Sequence, residues 1–141
     1  MIFKMINTIE QFGRNAGKVW ETLNEKGSLS ESELAETTSL RPYEFHIAVG
    51  WLAKENKIRK DGDYYHLDET NLNIKIGESA GKIWKVLNLE GENDILKISK
   101  LTKIEERDIY LAIGWLAREH KIQLNMGEQQ HKIKSILSTS H

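Results

Sequence analysis

The chain has 141 residues, 39% of them apolar and 29% charged, the composition of a folded globular protein. Twenty Lys and Arg against 21 Asp and Glu leave a formal charge of −1, which excludes the strongly basic signature of a protein that coats phosphate backbones. The absence of cysteine excludes disulfides, thiolate metal sites and cysteine nucleophiles, and no apolar run approaches the ~20 residues of a membrane span. A cytoplasmic protein with no membrane partner is expected.

Met1 to Phe12 places Met5, Ile6, Ile9 and Phe12 on one helical stripe, and reads as a backward extension of the first helix. Lys4 and Glu10 interrupt it, so it is no secretion signal. Ala16, Val19, Trp20 and Leu23 continue at helical spacing, and Gly27 is a stop signal. Ser30 followed by Glu33 has the form of a capping box opening a second helix through Leu34 and Thr37. Pro42 belongs in the first turn of a third helix that runs to about Asn56. Asp61-Gly62 then predicts a hairpin pairing Lys60 with Asp63 and Ile58 with Tyr65, with Ile58, Tyr65 and Leu67 inward.

The same plan is then repeated. Gly13-Arg-Asn-Ala-Gly17-Lys-Val-Trp20 returns 64 residues later as Gly77-Glu-Ser-Ala-Gly81-Lys-Ile-Trp84, and Ala48-Val-Gly-Trp51-Leu-Ala-Lys-Glu55 as Ala112-Ile-Gly-Trp115-Leu-Ala-Arg-Glu119. Between positions 13 and 58 the ungapped shift gives 17 identities in 46, which marks a tandem duplication. Three helices closed by a hairpin describe a winged helix-turn-helix. The expected fold is mainly α with small β-hairpins: two tandem winged helix-turn-helix domains packed as a pseudo-twofold pair. The first repeat takes residues 1–67, a linker 68–76, the second repeat 77–137 and a disordered tail 138–141. Asp68 to Lys75 reads as a short strand, since Ile74 and Ile76 alternate with polar residues. Ile122 and Leu124 open a second hairpin that turns near Met126-Gly127 and returns over Glu128 to Lys132. Ile133, Ile136 and Leu137 read as a last helical turn.

The motifs Ala-Gly-Lys-Val/Ile-Trp in the first helix and Ala-x-Gly-Trp-Leu-Ala-Lys/Arg-Glu-x-Lys-Ile in the third resemble a family of small bacterial and archaeal winged helix-turn-helix domains of unknown function. The resemblance covers about 13–67 and 77–133. It implies the fold, and a leaning toward nucleic-acid binding shared by winged helices at large, but no substrate or ligand.

In a winged helix that reads DNA, one face of the third helix meets the core and the opposite face meets base edges. At 100° per residue, Phe45, Ala48, Val49 and Leu52 share the core face, and Tyr43, Ile47, Trp51 and Lys54 lie roughly opposite. In the second copy Ile109, Ala112, Ile113 and Leu116 oppose Arg107, Leu111, Trp115 and Arg118. The would-be reading face is thus apolar in both copies, at Ile47, Trp51, Leu111 and Trp115. Either a wing or first helix folds over these residues, or they form an interface. Equivalent faces on both copies favour pairing, within one chain or between chains. Gly17, Gly50, Gly81 and Gly114 read as sites of close backbone approach.

Candidate phosphate contacts are Lys57, Arg59 and Lys60 on the first wing and Lys121, Lys132 and Lys134 around the second. Arg14, Lys18, Lys82 and Lys85 add charge on the first helices. Glu105-Glu-Arg-Asp108 puts acids where a reading helix would approach phosphates. The five histidines are scattered, His46 is Tyr110 in the other copy, and no phosphate-cradling glycine loop is present. No catalytic residue, metal or cofactor is expected. The function expected is a transcription regulator that binds duplex DNA, and the alternative is a protein-interaction module whose third-helix faces are pairing surfaces.

Overall fold

Helix α1 (Thr8–Lys26) buries Phe12, Ala16, Val19 and Leu23, and Gly27 at φ +80° ends it by donating its N–H to the Leu23 carbonyl. The structure, a computed structural model, describes residues 8–126 and 131–136. The expected extension over Met5 and Ile6, the turn at Gly127 and the tail from Leu137 lie outside the described residues.

Ser30 caps α2 (Glu31–Thr38) reciprocally. Its Oγ accepts from the Glu33 N–H at 3.2 Å, and its own N–H donates to Glu33 Oε1 at 2.9 Å. These hydrogen bonds hold the Glu33 carboxyl below its usual pKa. Pro42 opens α3 (Pro42–Lys54), which stops short of Asn56, a residue at φ +60°.

The wing pairs β2 (Ile58–Asp61) with β3 (Tyr64–Leu67), and the expected register is corrected. Lys60 faces Tyr65 and Ile58 faces Leu67, so the turn is Gly62-Asp63 and not Asp61-Gly62. Gly62 alone takes positive φ, which suits a turn that needs glycine only at its first central position. A third strand, β1 (Leu29–Ser30), adds to β3 and completes the order β1-β3-β2. Tyr65 stays inward, its ring edge-on to Phe45 at 5.6 Å.

The second repeat has α4 (Asn73–Glu90), β4 (Asn93–Asp94), α5 (Ile95–Thr102), α6 (Glu106–Arg118), β5 (Ile122–Met126) and β6 (His131–Ser135), with sheet order β4-β6-β5. Here Asp94, not a serine, caps α5, accepting from the Lys97 N–H at 2.8 Å. Two expectations are corrected. The chain before Ile76 is no strand: it turns helical at Asn73, which exposes Ile74 and buries Ile76. The return strand lies at His131–Ser135, so Ile133 is no helical turn. It pairs with Leu124 and Asn93 at the centre of its sheet, fully buried.

Two hydrophobic cores result, and each takes residues from the other repeat. Phe12 of α1 packs in the second core, and Ile76 of α4 packs in the first. These two residues are 64 positions apart, so the exchange follows the duplication itself. Between the cores α3 and α6 pack directly against each other.

Candidate functional site

The sequence places one glycine in the middle of each third helix, and both lie at the crossing of α3 with α6. A Cβ at Gly50 would overlap the Leu111 carbonyl and lie 2.8 Å from its carbon. One at Gly114 would overlap the Ile47 carbonyl and lie 2.8 Å from the Trp51 nitrogen. Only residues without a side chain let backbones approach this closely. Gly17 and Gly81 differ: a Cβ there would meet nothing within 4 Å, so they are corrected as sites of close approach.

Around the crossing, Ile47 is fully buried in the second repeat's core, and Leu111 packs on the first. Trp51 and Trp115 are half-buried and touch both cores. The first helices also reach these rings: a Cβ at Gly13 would lie 3.1 Å from Trp51, and one at Gly77 would lie 3.7 Å from Trp115. Charges close the crossing in a twofold pattern. Lys54 Nζ stands 3.2 Å from Glu119 and 4.9 Å from the Trp115 ring, while Arg118 Nε donates to Glu55 at 2.9 Å beside Trp51. From Phe45 to Ala53 every α3 residue is buried except half-buried Trp51.

The wing cations sit on, or just before, the strands of two separate sheets. Lys57 Nζ is 3.6 Å from Glu55, Lys121 Nζ is 3.6 Å from Glu119, and Arg59 Nε donates to Asp61 at 3.0 Å. Hydrogen bonds from His66 and Arg59 hold the Asp61 carboxyl below its usual pKa. Lys60 lies over the Tyr65 ring at 5.8 Å, and Lys132 and Lys134 project from β6.

A polar junction joins the repeats at one side of the crossing. Glu31 Oε1 accepts from the Tyr65 hydroxyl at 3.2 Å and from Arg107 of the second repeat at 2.9 Å, while His46 Nε2 lies 3.4 Å from Oε2. Burial keeps His46 below its usual pKa, against the pull of Glu31, and raises that of Tyr65. An open cavity of about 480 Å³ adjoins this group. On the opposite side Tyr43, Tyr110 and His131 form an aromatic cluster, with Tyr110 and His131 hydrogen-bonded at 2.8 Å. Burial pushes the Tyr110 hydroxyl up to about 12 and lowers the His131 pKa. Sequence reasoning passed over both junctions. The signal in the sequence was that positions 43 and 46 differ chemically from 107 and 110, on helices whose second halves match closely.

The family described as winged helix-turn-helix domain (DUF2582) matches the chain twice, over residues 5–68 and 67–135. This chain belongs to that family. Over 63 residues it is 41% identical to the uncharacterized protein MJ1608 of Methanocaldococcus jannaschii, a match that covers 43% of this chain and 89% of that protein. No solved structure matches.

A winged helix-turn-helix domain that reads duplex DNA lays its third helix in the major groove. In this tandem winged helix the outward faces of both third helices are spent on each other. What stays outside is the ends of the third helices, the wings, the second helices and the solvent faces of α1 and α4. Among the described residues no His, Cys, Asp or Glu cluster is arranged to hold a metal, and no helix is long and apolar enough to cross a membrane.

Proposed function

We propose that this protein is a non-enzymatic binding module that acts through protein contacts in the cytoplasm, its third helices joining the repeats instead of reading bases. The observation that carries this reading is the contact of Gly50 with the Leu111 backbone and of Gly114 with the Ile47 backbone. A helix in such contact cannot enter a groove ~12 Å wide without first separating the repeats and exposing both cores. The formal charge of −1 and the acids at the start of α6 support the same reading. A regulator that binds duplex DNA is the competing function, and it would have to work through Lys57, Arg59, Lys60, Lys121, Lys132 and Lys134.

Titration of a mixed-sequence duplex at low and moderate salt tests the choice. Non-specific attraction with Kd of about 10⁻⁴ to 10⁻⁶ M is the least that a DNA-binding protein shows. No binding in that range is expected. Salt-sensitive binding that weakens when Arg59→Glu and Lys60→Glu are combined would overturn the proposal.

A further inference from the structure

The second helices of the two repeats fold alike and present opposite surfaces. On α2 the solvent face carries Ser32, Glu33, Glu36 and Thr37; at the equivalent positions α5 carries Leu96, Lys97, Lys100 and Leu101, all eight residues being exposed. The buried side is alike in both, with Leu34 and Ile98 completely covered. The ends of the preceding helices follow the same contrast, Glu21 and Glu25 against Lys85 and Leu89. Leu89, Leu96 and Leu101 are 79%, 61% and 49% exposed, among the largest apolar exposures of the molecule. The first repeat acts as an internal control: the scaffold folds with Ser and Thr at the positions of Leu96 and Leu101, so folding does not require leucine there.

We infer that the exposed face of α5 is a docking surface for an acidic, amphipathic helical segment of another protein. Around the helix, Leu96, Lys100, Lys97 and Leu101 follow one another over about 140°, opposite buried Ile95 and Ile98. Two ammonium groups flanked by two leucines match a ligand helix whose carboxylates lie between apolar anchors. None of the ion pairs among the described residues involves Lys97, Lys100 or Lys103, so no described carboxylate pairs with these charges. A second copy of this chain fits less well. Its α2 offers the carboxylates but only Ser32 and Thr37 to cover the leucines, and α5 against α5 would set lysine on lysine. Duplex DNA would use the lysines and leave the leucines in water.

This inference rests on the protein-contact reading above, and the test separates the two. The probes, applied to the full chain, are a fluorescent amphipathic peptide of leucine and glutamate, its leucine and lysine counterpart, and a mixed-sequence DNA duplex. The glutamate peptide is expected to bind and the lysine peptide not. Combining Lys97→Glu with Lys100→Glu should weaken binding by about tenfold or more through like-charge contacts. Leu96→Ser with Leu101→Thr should weaken it through lost apolar contact. Both pairs install residues close to those of the first repeat, and unchanged circular dichroism checks the fold. Failure of the glutamate peptide to bind, or equal binding of both peptides, would overturn the inference and leave the protein-contact reading standing. Duplex binding lost with Lys97→Glu and Lys100→Glu would overturn both.

Discussion

His46 shows how a single side chain depends on the neighbouring repeat. It is buried, faces Glu31 from its own repeat and Arg107 from the other, and has its pKa lowered first by burial. Its ordinary value is about 6.5, so below that pH the unfolded chain takes up a proton that the folded protein resists. The stability contributed by neutral His46 is therefore complete above about pH 6.5 and is lost as the pH falls through the folded value. His131 shifts the same way, while the lowered carboxyls of Glu33 and Asp61 act only in the more acidic carboxylate range. Thermal unfolding should shift to lower temperature between about pH 7 and pH 5, and His46→Gln should flatten that dependence. A transition that stays constant or rises on acidification would contradict this. The sequence held little warning of the role, because the Glu31 beside His46 is itself paired with Arg107, 61 residues from His46 in the chain and brought near only by the fold.

At the scale of elements, helix caps and periodicity were legible because they are local. Ser30 and Glu33 cap α2 and Gly27 ends α1 through bonds within a few residues, and Pro42 opens α3 through its fixed φ and missing N–H. Strand register and the start of α4 were not legible. The wing turn has glycine beside two aspartates, so Asp61-Gly62 and Gly62-Asp63 compete as turns, and the local sequence does not choose between them. Ile76 follows the helical period of α4 because its partners are in the first core, which alternation within Asp68 to Lys75 does not report. The third-helix faces were legible as apolar on both sides, but not what covers them: α1 and α4 join α3 and α6 at the two tryptophans.

The glycines separate coverage from mere repetition. Gly50→Ala should destabilise the full chain by about 3 kcal/mol or more, since backbone must move to admit the methyl. Gly17→Ala, on an exposed helix face with open space around it, should stabilise by up to about 1 kcal/mol. Denaturant unfolding of both variants checks the pair. Equal, small effects would mean that the α3–α6 contact is looser than described.

For the molecule as a whole, the two repeats are one folding unit more than two beads on a string. The exchange of Phe12 and Ile76 between cores, the α3–α6 crossing and the Lys54–Glu119 and Arg118–Glu55 pairs all tie one half to the other. A domain of about 60 residues is marginal even when complete. A fragment ending at Thr70 would lack Ile76 and expose Ile47, Gly50 and Trp51 to water. The most direct test of the joined-repeat architecture is sedimentation and thermal unfolding of that fragment. It is expected to be largely unfolded, or to dimerise through its third helix as a substitute for the missing repeat. A folded monomer as stable as the full chain would contradict the architecture and reopen the third helix as a surface free to read DNA.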